Sequence, residues 1–151
     1  MTRAAGGAAA AAVDGLHAAL LRAGGDGARL RELLREPIDE QVMVAVLRRA
    51  VPPPFLELLA ATPPGSERPR VLARVVLNPR VSRGLSLRLL AQLSWRELAD
   101  VAAAPWVAAA VRLRAEALLS EVLRDLRLGD RITHSRLATA PLLPRLLLDD
   151  E

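Results

Sequence analysis

Leu77-Asn78-Pro79-Arg80-Val81-Ser82-Arg83-Gly84-Leu85 closes one apolar helix and opens another. Pro79 lacks an amide hydrogen and drives Asn78 out of the helical region, so the helix carrying Leu72, Val75 and Val76 stops there. Ser82 then offers an oxygen to the free amides of a new helix, whose apolar positions Leu85, Leu89, Leu90 and Leu93 recur at helical spacing. Downstream, Ser94-Trp95-Arg96-Glu97 reads as a capping box, the Ser94 hydroxyl accepting from the Glu97 amide and the Glu97 carboxylate from the Ser94 amide. A short helix through Leu98, Val101 and Ala102 follows. Pro105 is expected at the first turn of a longer helix, which runs to about Leu126 with a stripe of Val107, Val111, Ala115, Leu118, Leu119, Val122 and Leu126.

The composition agrees with an all-α protein. Of 151 residues, 52% are hydrophobic but only 2% aromatic, with no tyrosine and one phenylalanine. Leu, Ala and Val must therefore supply the packing, and such side chains suit helices better than sheets. The formal charge is +4 and every basic residue is arginine. Seventeen acids are interspersed with twenty-one arginines, which is not the strongly basic balance of a dedicated nucleic-acid binder. The absence of cysteine excludes disulfides, zinc-thiolate sites, iron–sulfur clusters and thiol catalysis. Met1 to Val13 loosely imitates a secretory signal, but Asp14 and His17 interrupt the apolar stretch and no cleavage region follows. No uncharged apolar run approaches the roughly 18 to 20 residues that span a bilayer, so a cytoplasmic location is expected.

From the N-terminus, residues 1–9 read as a disordered Ala/Gly leader and residues 10–151 as a single domain. A helix from Ala10 to Arg22 carries Leu16, Ala19 and Leu20 on one face and ends at Gly24-Gly25-Asp26-Gly27. That glycine run follows a helix rather than a strand and has neither the dinucleotide nor the P-loop spacing, so it is a turn. Ala28 to Arg35 forms a short helix broken by Pro37. Asp39 opens the next, and Pro52-Pro53-Pro54 stops it. Phe55, Leu58 and Leu59 mark another, and Thr62 to Ser66 is a loop in which Ser66 is the expected cap of the helix leading back to Asn78. Towards the C-terminus, Asp130 is placed as the cap of a helix through Leu137, with a further helix over Leu142 to Leu148.

The prolines expose a repeat. Pro37 and Pro79 are 79 − 37 = 42 positions apart, and so are Pro63 and Pro105, 105 − 63 = 42. At that shift Leu30, Leu33 and Leu34 fall on Leu72, Val75 and Val76, Leu56 falls on Leu98, and Ala73, Val76 and Leu77 fall on Ala115, Leu118 and Leu119. A helical period in the low forties is that of HEAT and armadillo arrays. The run from Val76-Leu77-Asn78-Pro79-Arg80-Val81 through Leu93-Ser94-Trp95-Arg96-Glu97-Leu98 to Val111-Arg112-Leu113-Arg114-Ala115-Glu116-Ala117-Leu118-Leu119 resembles the HEAT-like repeats of many bacterial proteins. In those, Asn-Pro-Arg punctuates successive units. The resemblance covers roughly residues 30–128. It implies a short right-handed α–α solenoid of helix pairs without β-sheet, with units breaking near Pro37 and Pro79.

Catalytic candidates are few. Ser86 lies within a helix and lacks the second glycine of a nucleophile elbow. Asp130 and His134, four apart, are half of a metal site with no second pair nearby, so neither a metal nor a cofactor is expected. Arginine is more informative. Arg70 and Arg112 coincide at the 42-residue shift, with Arg74 and Arg114 beside them. In the array that the resemblance implies they form a ladder on the inner helices, suited to acidic peptide, phosphate or nucleic acid. An ordinary solvated face, with helical pairs such as Arg112 to Glu116, is the competing reading. Trp106 is the candidate anchor for a partner. The expected function is a non-enzymatic scaffold or adaptor that binds a protein, with self-association through the end helices. The alternative is DNA-backbone binding on a concave Arg surface, as in the repair glycosylases that resemble such arrays.

Overall fold

The structure, a computed structural model, describes residues 2–137, with side chains described over 6–129. Among the described residues there are eight α-helices and no strand: α1 (Thr2–Ala23), α2 (Gly27–Leu33), α3 (Glu40–Val46), α4 (Pro53–Ala61), α5 (Pro69–Leu77), α6 (Arg83–Leu89), α7 (Trp95–Ala103) and α8 (Ala109–Leu137). Two single 3₁₀ turns, Gly65–Glu67 and Leu90–Gln92, precede α5 and follow α6.

The helix starts follow local chemistry. Asp26 Oδ1 accepts from the Ala28 and Arg29 amides at the head of α2, and Asp39 Oδ1 accepts from Gln41 at 2.9 Å at the head of α3. Ser82 Oγ accepts from the Leu85 amide at 3.2 Å. The capping box of α7 is complete, with Glu97 donating its amide to Ser94 Oγ at 3.3 Å and Ser94 donating its own to Glu97 Oε2 at 2.9 Å. α4 and α5 instead begin on prolines, Pro53 and Pro69, whose missing amides fall where no helical bond is owed. Gly24 ends α1 at φ +55°, the left-handed geometry that glycine adopts without a Cβ penalty.

Several boundaries differ from expectation. α1 starts at Thr2, so residues 2–9, expected as a loose leader, form its first two turns, in keeping with the helix propensity of their alanines. Ser66 is not a cap. It sits inside the 3₁₀ turn, and Arg68 occupies the N-cap of α5 because Pro69 fixes the first helical position. Pro105 lies in the turn before α8 rather than in the helix. Asp130 opens no new helix, since α8 continues unbroken through Gly129 to Leu137. The helix expected over Leu142 to Leu148 lies outside the described residues.

One core joins the whole body, from Val13 in α1 to Ala115 in α8, with Phe55, Leu20, Leu30, Leu47, Leu56, Leu72, Leu90 and Leu98 fully enclosed. At roughly 1.5–3 kcal/mol for each large apolar side chain, this burial is the main force holding the short helices together. α5 is its axis. Val71, Leu72, Ala73, Val75, Val76 and Leu77 are all buried there, and the helix packs against α3, α4, α6, α7 and both 3₁₀ turns. The pairing of elements recurs along the chain: α2 with α4, α3 with α5 and α4 with α5 are followed by α5 with α7, α6 with α8 and α7 with α8. Pro37 lies between α2 and α3 as Pro79 lies between α5 and α6, and Pro63 follows α4 as Pro105 follows α7. Each interval thus holds three helices, the number that the caps and prolines predict, where the resemblance implies a pair.

Polar ties fasten the helix ends to one another. Asn78, only 2% exposed, donates through Nδ2 to the Leu47 and Arg49 carbonyls, both at 2.8 Å, while its Oδ1 accepts from the Arg80 amide. These bonds satisfy carbonyls that the end of α3 leaves without an intrahelical donor. His17 Nε2 donates to the Ala50 carbonyl at 3.0 Å, in the tautomer protonated there, and Asp14 pairs with Arg49 at 2.8 Å, so α1 grips the same corner. Arg68 donates to the Ile38 carbonyl at 3.2 Å.

Candidate interaction site

Arg70 and Arg74 stand one turn apart on α5, which presents almost no other polar side chain. Arg70 is exposed and Arg74 half-buried. The chain just past α3 brings Arg48 to the same place, and α7 contributes Glu97 and Asp100. These side chains surround a recess of about 120 Å³ with Val44, Ala73 and Leu77 as its apolar wall. A second depression of about 350 Å³ shares Arg48, Arg74 and Leu77 and is completed by Leu47, Pro79 and Trp106. Among the described residues, no acidic residue lines this second space.

The electrostatics are set by partial burial first and by crowding of like charge second. The Arg74 guanidinium is held below its ordinary pKa, first by partial burial and then by the neighbouring Arg48 charge. Asp100 acts in the opposite direction, and Arg70 adds to the lowering. An arginine remains protonated at neutral pH even so, which makes the shift a sign of unfavourable surroundings for the cation rather than of titration. Among the described residues, the guanidinium groups of Arg48, Arg70 and Arg74 make no hydrogen bond or ion pair; the salt bridges join Arg29 to Asp26, Arg35 to Glu32, Arg49 to Asp14 and Arg88 to Glu57.

Trp106 is 62% exposed, yet its Nε1–H donates to the Leu77 carbonyl at 2.8 Å. The polar edge of the indole is thereby used to close the end of α5, and the ring is left to the outside. Trp95, at the head of α7, is also exposed, with the Arg96 guanidinium 5.2 Å from its ring centre.

The structure thus brings Arg70, Arg74 and Trp106 to one continuous face and adds Arg48. Sequence reasoning missed Arg48 because nothing in the spacing of residues 48 and 74 signals that they meet. Arg112 and Arg114, the other members of the expected ladder, line neither depression. Arg114 is exposed, and Arg112 is half-buried with its Nε enclosed and without a hydrogen-bond partner. The Arg112–Glu116 pair does not form.

Guanidinium groups, an indole face and aliphatic walls thus meet on one surface. Ser86, the serine weighed as a nucleophile, is 1% exposed within α6. Among the described residues no three of His, Cys, Asp and Glu come close enough to hold a metal ion, and the side chains of Asp130 and His134 lie outside them. Nor is any helix among them long and apolar enough to cross a membrane. No protein-family model, curated protein or solved structure matches the chain.

Proposed function

We propose that the chain is a short right-handed HEAT-like solenoid acting as a non-enzymatic adaptor, and that it binds a protein partner on the face where the end of α3 meets α5 and α7. The recurrence of helix pairings along the chain, with prolines at matching places in successive intervals, supports the solenoid. One observation carries the binding role: the guanidinium groups of Arg48 and Arg74, without an ion pair among the described residues, line one depression with an exposed indole, and Arg70 lines the recess beside it. Arginine and tryptophan are the side chains most enriched where interfaces concentrate their binding energy.

Affinity capture tests the reading when it compares the native chain with Arg70→Glu/Arg74→Glu, with Trp106→Ala and with Arg29→Glu, an exposed control distant in sequence. A protein recovered by the native chain and the control, and lost by both face variants, supports it. Equal recovery by all four overturns it. The DNA alternative has its own test. Binding of a labelled duplex that falls steeply with salt, and that disappears in Arg70→Glu/Arg112→Glu, would replace the adaptor reading with a nucleic-acid one.

A further inference from the structure

We infer that the depression between Arg48, Arg74 and Trp106 is a receptor for an acidic–aliphatic peptide segment, one Asp or Glu carboxylate lying between the two guanidinium groups and a neighbouring aliphatic side chain resting on Leu47, Leu77, Pro79 and the indole. The inference rests on the adaptor reading and specifies its ligand.

Three features of the site select that chemistry. The first is a shortage of counter-charge. Among the described residues, two guanidinium groups face one space with no acid in its lining, and neither makes a hydrogen bond or ion pair. A guanidinium carries five N–H donors in a fixed fork that fits a carboxylate, and half-burial makes unused donors expensive at Arg74, while Arg48 is exposed. A carboxylate entering between Arg48 and Arg74 would answer the donors and relieve the mutual repulsion together.

The second feature is the floor. Leu47, Leu77 and Pro79 are apolar, and the Trp106 N–H is already bound to the Leu77 carbonyl, so the indole offers a ligand only its ring. Next to the charge there is therefore a place for apolar surface and none for a further hydrogen bond to the indole. At about 350 Å³ the space is in the size range of small ligand sites and takes one or two side chains.

The third feature excludes a polyanion. Glu97 and Asp100 line the adjoining recess, which shares Arg48 and Arg74 with the depression. A nucleic-acid backbone laid across the face would bring its next phosphates against those carboxylates. A peptide with one acid and aliphatic neighbours meets that repulsion at a single carboxylate rather than along a row of charges, and Glu97 and Asp100 give the site a polarity that orients it.

The experiment is selection of a random decapeptide display library on the full-length chain, followed by titration of the commonest enriched sequence as an end-blocked synthetic peptide. Trp95→Phe provides the background in which indole fluorescence reports Trp106 alone. The expected result is enrichment of Asp or Glu within two positions of Leu, Ile or Val, with a change in Trp106 emission on binding. Kd should rise about tenfold or more with Arg48→Gln, with Arg74→Met, or when the peptide acid is replaced by its amide, as loss of a charge-assisted hydrogen bond requires. Arg48→Gln and the amide peptide keep the test valid if the half-buried Arg74 position proves necessary for folding, which thermal melting of each variant reports.

Peptides without acids, or an amide peptide that binds equally well, would overturn the carboxylate assignment. If their binding still fell with Trp106→Ala, the adaptor face would stand without it. Binding indifferent to Arg48, Arg74 and Trp106 alike, or no enrichment at all, would overturn both the ligand and the face.

Discussion

α5 and α8 share an apolar pattern and differ in what covers it. At the 42-residue shift Ala73, Val76 and Leu77 of α5 fall on Ala115, Leu118 and Leu119 of α8, and none of the six is exposed. The positions around them part company: Val71, Leu72 and Val75 are buried, whereas Leu113, Arg114 and Ala117 at the same shift are exposed. α5 has α3, α4, α6 and α7 packed around it, while α8 has α6, α7 and the Leu90–Gln92 turn as its main neighbours. Beyond Val122, Leu123, Leu126 and Leu128 are exposed. A helix is apolar around most of its circumference only where neighbours surround it, and a single stripe marks a helix packed on one side.

The comparison breaks or sharpens at defined residues. Leu72→Ala in α5 is expected to cost about 2–5 kcal/mol, the range for truncating an enclosed leucine. Leu113→Ala at the same shift in α8 should stay within about 0.5 kcal/mol, because its side chain already faces water. Urea midpoints measured at constant slope give both values, and equal losses would end the distinction between the two helices.

Next in size comes Asn78→Ala, which leaves the Leu47 and Arg49 carbonyls without their donor and is expected to cost about 2–3 kcal/mol by the same measurement. A loss below about 1 kcal/mol would mean that water replaces the side chain there, and that packing alone anchors the end of α5.

Gly65→Ala should follow. A Cβ at that position would lie 2.7 Å from the Leu59 backbone oxygen and from Leu59 Cδ1, so the turn leading into α5 must shift, at a cost of about 1–3 kcal/mol. Thermal unfolding would register this as a lowered midpoint. An unchanged midpoint would show that the approach of α4 to this turn is adjustable.

Of the substitutions expected to destabilise, Ser94→Ala has the least effect, about 1 kcal/mol from opening the capping box of α7, the helix packed against both α5 and α8. Restoration by Ser94→Asp, which also accepts from the Glu97 amide, would confirm that the cap is responsible. A loss restored by no capping residue would point to packing at the head of α7 instead.

Much of the local structure was legible because its causes lie within a few residues. Asp39, Ser82 and the Ser94–Glu97 pair start helices where their spacing to the next apolar run demands it, and Asn78-Pro79 and Gly24 end them. Errors arose where the rule was local but the context was not. Ser66 lost its capping role to the proline at Pro69, and Asp130 lies within a helix that did not stop. Half of the site was legible in the same manner: Arg70 and Arg74 are neighbours on one helix by spacing alone, and Trp106 stood out as one of two tryptophans.

By itself, then, the sequence determined that the chain is helical, where most helices begin, and which stripe of each is apolar, since these follow from backbone sterics, capping and a period of 3.6. Only the tertiary structure decided that Arg48 joins Arg74, that Asn78 and Trp106 close the ends of other helices, and that Arg112 stands outside the depressions that Arg70 and Arg74 line. Those outcomes depend on side chains separated by 26 to 31 residues meeting across packed helices. No local propensity encodes such meetings; they arise when several apolar stripes are buried against one another at once.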